Sequence, residues 1–274
     1  MVAGLRTAFS LVLPFAGAQE YDPLAPACGR RWLVPIGLAI GLVYAALYRA
    51  AWRFFGESEG IRLMPAVAVW LLDVALCGSV LMFGAARVAQ RIATRSVPPD
   101  PAVPVLLSIG TVVFVVVCTL KLMLWIAIPH GVSTWPGIWG STFNFAYPHT
   151  FYRPLILAPM WGRWGVLLAA GLGRPAPHAD PLVRGLMVRQ SPVTVLAWFL
   201  PVAVLTAVYC GYNAKWMYGA VIALGVMGVT YLYGVAVAYR LTGQSRDTLR
   251  AAGLIAELTF LILYTGFSVR VYTG

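Results

Sequence analysis

Seven apolar runs divide this chain, at about 33–52, 64–86, 105–128, 154–172, 193–211, 216–239 and 251–269. A helix needs about 20 such residues to cross a bilayer. Inside hydrocarbon, every backbone N–H and C=O must also find its partner within the protein. A chain that repeats this length so often has little freedom: the runs become helices packed on one another in a membrane. Only 11% of the residues are charged and 60% are apolar, against roughly 25% charged in an ordinary soluble domain. The expected fold is all-α, one integral-membrane domain over residues 1–274, with about seven transmembrane helices. Gly37, Gly41 and the alanines of the first run suit close helix packing.

A net charge of +11 would suggest nucleic acid in a soluble protein. Here the arginines flank the apolar runs, and there is no basic block in a polar domain, so the expected partner is the lipid bilayer and not nucleic acid. With the N-terminus inside, twelve Lys and Arg side chains fall inside (the arginines of 6–31, 87–95, 174–189 and 240–250). Six fall outside, namely Arg49, Arg53, Arg62, Arg153, Lys215 and Arg270. This bias predicts a multi-pass protein of the plasma or inner membrane with a cytoplasmic N-terminus. Cys28, Cys77, Cys118 and Cys210 are scattered without ligand or disulfide spacing. His130 and His149 read as polar residues of an aromatic interfacial loop, so no metal ligands are expected. No inverted repeat or broken helix pair is legible, which speaks against a transporter.

Four ionisable residues fall within the runs: Asp73, Lys121, Arg163 and Glu257. A charge at the bilayer centre costs about 2.5–3.5 kcal/mol on insertion scales, so such residues pair or face a wet cavity. Two arrangements are open. The four charges can form interhelical ion pairs, or Lys121 and Arg163 can face one pocket and bind phosphate.

The most polar short stretch between two runs is 240–250, Arg-Leu-Thr-Gly-Gln-Ser-Arg-Asp-Thr-Leu-Arg. Gly243 supplies a turn, and Ser245 or Asp247 can cap the helix that follows. One reading is a capped helix start. The other is an anion site, built from helix-start amides with Arg240, Arg246 and Arg250, supplemented by Gln244, Ser245 and Thr248. In that second reading Asp247 orients the arginines.

Thr242–Ala251 also resembles the Gly-Gly-x-Thr-Gly-Asp-x-Leu-Gly-Ala segment of cobalamin synthase, the integral-membrane adenosylcobinamide-GDP ribazoletransferase, with Arg246 and Arg250 replacing two glycines. Gly110–Lys121 is similar to a Gly-to-Lys helix of that family. Leu157–Trp164 is similar to its Leu-Ala-Pro-x-x-x-Arg-Trp helix, with Arg163 at the arginine, and Arg174 stands for the arginine of its Tyr-Ala-Arg segment. Residues 1–19 imitate a signal peptide. Phe9–Pro14 resembles the family's N-terminal Phe-x-Thr-Arg-Leu-Pro, so retention as an interfacial segment is expected.

The resemblance implies a cytoplasmic-face site. Lys121, Arg163, Arg174, Arg240, Gln244, Ser245, Arg246 and Thr248 would bind substrate, and Asp247 and Glu257 would be catalytic. The family joins α-ribazole or its phosphate to GDP-activated cobinamide. It holds divalent metal through His-x-Asp-Gly-x-x-Asp-x-x-Asp, whose His and Asp positions are here Leu81, Phe83, Arg87 and Gln90. No carboxylate remains there, so the family's Mg²⁺ is not carried over and the cofactor stays open. The expectation is a cobalamin synthase-like protein with impaired or altered catalysis that keeps a phosphate- or nucleotide-binding loop. The alternative is a non-enzymatic subunit or binding protein for corrinoid, isoprenoid or lipid phosphate, working beside a true synthase or as a homo-oligomer.

Overall fold

The computed structural model of the chain describes Ala8 and residues 29–55, 63–94, 109–128, 151–188, 190–210 and 216–273. Most of the expected N-terminal segment, residues 96–104, most of the aromatic loop and residues 213–215 lie outside these residues. A 3-10 turn, Arg30–Trp32, leads into α1 (Leu33–Phe55). Then come α2 (Met64–Asp73), a π-helical segment (Val74–Gly78), α3 (Ser79–Thr94), α4 (Ile109–Ala127) and α5 (Tyr152–Ala170). A short α6 (Pro181–Met187) precedes α7 (Pro192–Cys210), α8 (Trp216–Arg240) and α9 (Arg246–Thr273). No strand forms among the described residues, and the protein is an all-α polytopic bundle.

Five helices are long and apolar enough to cross a membrane: α1 with its 3-10 turn, α4, α7, α8 and α9. The run 64–86 becomes α2 and α3, which make a sixth span if the bent pair counts as one. They meet at 66° across the π segment, the kind of local insertion that bends helices sharply. A broken helix pair is therefore present where the sequence suggested none. The remaining run, 154–172, becomes α5, whose residues are all buried except Tyr152 and Leu168. A helix buried on every side needs no lipid-facing stripe, which lets α5 carry Arg153 and Arg163.

Glycines at two helix contacts let α5 occupy the centre. On α1, a Cβ at Gly37 would lie 2.7 Å from the Pro159 carbonyl oxygen, and one at Gly41 would lie 2.7 Å from the Ile156 Cα. On the other side, a Cβ at Gly253 of α9 would lie 2.8 Å from the Gly162 carbonyl oxygen. Backbones this close are the use small residues have in membrane bundles, where dispersion and not hydrophobic transfer holds helices together. Gly41→Leu should therefore force α1 from α5 and lower the melting temperature of the detergent-purified protein sharply, at least the 1–3 kcal/mol scale of core overpacking. Gly266→Leu is the matched control, because nothing lies within 4 Å of a Cβ there. Equal melting temperatures for the two variants would contradict this packing.

Candidate functional site

The ionisable groups named from the sequence fall into two separate clusters. Asp247 and Glu257 are both on α9, ten residues or about 15 Å apart along the axis, and each belongs to a different one.

The inner cluster is dry. Lys121 Nζ of α4 lies 2.6 Å from Asp73 Oδ2 at the end of α2 and 2.8 Å from Glu257 Oε1 of α9. These side chains are 0, 2 and 1% exposed. Tyr44 of α1 donates its hydroxyl proton to Asp73 Oδ1 at 2.8 Å. Four helices are thus tied through one ammonium group. Lys121 and Glu257, named from the sequence as a substrate ligand and a catalytic acid, are ion partners inside the bundle. A lysine with two carboxylates at contact distance has its charge fully engaged, and no exposed surface through which substrate could reach it. Arg163 is also buried, at 1% exposure. It follows Gly162, where an added Cβ would come 3.3 Å from Glu257 Oε2.

The outer cluster surrounds the start of α9. The helix begins at Arg246, five residues before the apolar run, so Arg246, Asp247, Thr248 and Arg250 are helical and not loop residues. Ser245 caps it. Thr248 N donates to Ser245 Oγ (3.4 Å), and Ser245 N donates back to Thr248 Oγ1 (2.7 Å), a capping box with threonine at the third position. The Thr248 hydroxyl donates to Gln244 Oε1 (2.8 Å), and Gln244 Nε2 donates to the Gly234 carbonyl (3.1 Å). Gln244 and Thr248 are 0 and 1% exposed. Both were expected to bind substrate. Their side-chain hydrogen bonds build the loop, as burial of an amide or hydroxyl requires.

The same loop pairs with residues 174–176. Gln244 N donates to the Arg174 carbonyl and Ala176 N to the Gln244 carbonyl, both at 2.8 Å. Gly243 makes this approach with φ of +133°, and a Cβ there would sit 2.8 Å from Ala176 N. Arg174 and Arg240 are exposed around this junction. Arg30, entering α1, donates to the carbonyls of Gly185 and Val188 at the end of α6, bringing a further arginine to this end of the bundle.

Asp247 reaches across to another helix. Its Oδ1 lies 3.6 Å from Arg87 Nη1 and its Oδ2 lies 3.3 Å from Arg91 Nη2, both guanidinium groups coming from α3. Arg91 Nη1 also lies 3.5 Å from Ser245 Oγ. Arg246 pairs with Asp180, just before α6, at 3.4 Å. Gly84 permits this meeting of helices, since a Cβ there would be 2.6 Å from Arg250 Cβ and 2.9 Å from the Asp247 carbonyl oxygen. Arg87, Arg91, Arg246 and Arg250 thus share one helix end with two carboxylates, Asp247 and Asp180. Arg87 and Arg91, four apart on one face of α3, were legible as a pair. Their contact with Asp247, far away in sequence, was not.

The side chains of Phe83, Arg87 and Gln90 do not fit a divalent cation. Phe83 stacks on Phe114 at 4.8 Å between ring centroids. Gln90 Oε1 accepts from Gly110 N at 3.0 Å. Arg87 is itself a cation beside Asp247. Hard divalent ions want clustered oxygen anions, and this face presents guanidinium and aromatic groups.

What the arrangement can do is hold an anion. Arg87 and Arg91 remain 67 and 55% exposed, so most of their donors face outward, and guanidinium forks match phosphate oxygens. Comparison with known protein families, curated proteins and solved structures finds no match for this chain.

Proposed function

We propose that this chain is a multi-pass membrane protein that binds a phosphorylated ligand at the arginine cluster on the start of α9. The observation that carries this reading is the convergence of Arg87, Arg91, Arg246 and Arg250 on a site where Asp247 and Asp180 are the acidic partners among the described residues. By the positive-inside bias, this face is cytoplasmic and the membrane is the plasma or inner membrane.

The ligand class follows from the resemblance to cobalamin synthase. On that reading the ligand is α-ribazole phosphate or a GDP-activated corrinoid. Supporting it, the stretches 81–90 and 242–251, which the resemblance assigns to one substrate site, meet through the Arg87–Asp247 contact. Phosphate-transfer chemistry needs charge neutralisation, by metal or by fixed cations. Here arginines supply it, so binding needs no Mg²⁺.

A non-enzymatic role is the second reading, favoured by the engagement of Phe83, Arg87 and Gln90 in contacts that leave no carboxylate where the family holds metal. Expression in a ribazoletransferase-null strain separates the two. The expected result is no restoration of growth that depends on newly made cobalamin, with folded protein present in the membrane. Restoration by the chain alone would make it a working transferase.

A further inference from the structure

Resting on the reading above, we infer that the Asp247 carboxylate is a built-in stand-in for the ligand, and that the ligand is a phosphate monoester dianion. Asp247 lies between Arg87 and Arg91, its side chain only 10% exposed, with one oxygen toward each guanidinium. That is how a phosphate would sit in the same fork. The separations of 3.6 and 3.3 Å are long beside the roughly 2.7–2.9 Å of a strong charged hydrogen bond. The carboxylate therefore holds the arginines in place without saturating them. A single charge spread over two oxygens is also a weaker partner for two cations than a dianion with three.

Neighbouring groups point the same way. Arg250 Nε is buried without a hydrogen-bond acceptor among the described residues, so the cluster has a donor waiting beside Asp247. Arg246 is held by Asp180 at 3.4 Å, with 27% of its side chain exposed. An arriving dianion takes Arg87 and Arg91 from Asp247. The displaced carboxylate stays at the first turn of α9, where helix-start amides stabilise negative charge. Asp247 then competes with ligand in the empty site and prevents four arginines from facing one another unscreened.

This fixes the sign of a substitution. If Asp247 only oriented the arginines, neutralising it would weaken binding. As a competitor, its neutralisation strengthens binding. The full chain, in neutral-lipid nanodiscs with EDTA, is titrated with inorganic phosphate and with phenyl phosphate. A parallel set of nanodiscs carries phosphatidic acid, whose headgroup is a monoester, or phosphatidylglycerol, whose headgroup is a diester. Asp247→Asn should bind the monoester about fivefold more tightly than wild type, the scale of removing two weak ion pairs to exposed arginines. Asp247→Glu, which keeps the charge, should stay near wild type, and melting temperatures confirm that both are folded.

A gain with soluble phosphate assigns a free ligand. A gain seen only as phosphatidic acid retention, absent with phosphatidylglycerol, assigns a lipid headgroup. Wild-type binding with Asp247→Asn equal or weaker overturns the stand-in while leaving the phosphate site. Binding of neither source by either protein overturns both.

Discussion

Lys121→Met is expected to be among the most damaging single substitutions in this protein, costing about 3–5 kcal/mol of stability, the scale for stripping one partner from a buried ion network. The change leaves Asp73 and Glu257 facing each other at 2 and 1% exposure without the ammonium that separates them. It also unties α4 from α2 and α9. The cost comes from the uncompensated carboxylates and not from the loss of a strong attraction. Removing all three charges together, as Asp73→Asn, Lys121→Met and Glu257→Gln, should therefore recover most of the loss. Thermal unfolding in detergent measures both. A triple variant as unstable as the single one would mean that the network contributes attraction itself.

Arg87→Ala combined with Arg91→Ala should leave the fold intact and remove ligand binding. Each exposed arginine gives up a surface pair with Asp247, worth about 1 kcal/mol or less. With a phosphate in place, each supplies a charge-assisted hydrogen bond of about 1.5–3 kcal/mol. Two such losses weaken binding at least 100-fold, since about 1.4 kcal/mol is tenfold. Gln244→Ala is the contrasting case. Its amide joins Gly234 and Thr248 inside the protein, so its loss lowers stability while leaving the arginines where they stand.

Helix length and apolar period made the membrane bundle legible in the sequence. Gly37 and Gly41 announced a close helix contact, and Gly243 and Ser245 announced the turn and cap that the structure contains. Charge pairing was harder. Asp73, Lys121 and Glu257 were visible as intruders in apolar runs, but one lysine serving both acids depends on how α2, α4 and α9 converge, which no local spacing encodes. Asp247 was assigned to the arginines nearest in sequence. Its partners are Arg87 and Arg91, because Gly84 lets α3 press against the first turn of α9. Gln244 and Thr248 looked like ligand groups because they are polar and near arginines. Their burial, at 0 and 1% exposure, and the internal hydrogen bonds that go with it were not legible from composition. The break at Val74–Gly78 has a weak mark in the Gly78-Ser79 pair, a common site of helix kinks, but neither proline nor a polar run interrupts the segment there.

Whether arginines alone hold a phosphorylated ligand on this face is tested most directly by equilibrium binding of α-ribazole phosphate to the purified chain in EDTA, repeated with rising salt and with Mg²⁺. Saturable binding that weakens steeply with salt, is unchanged by Mg²⁺ and is lost in the Arg87→Ala, Arg91→Ala protein is the predicted result. No saturable binding at low salt, or binding that requires Mg²⁺ and survives the double substitution, would contradict it.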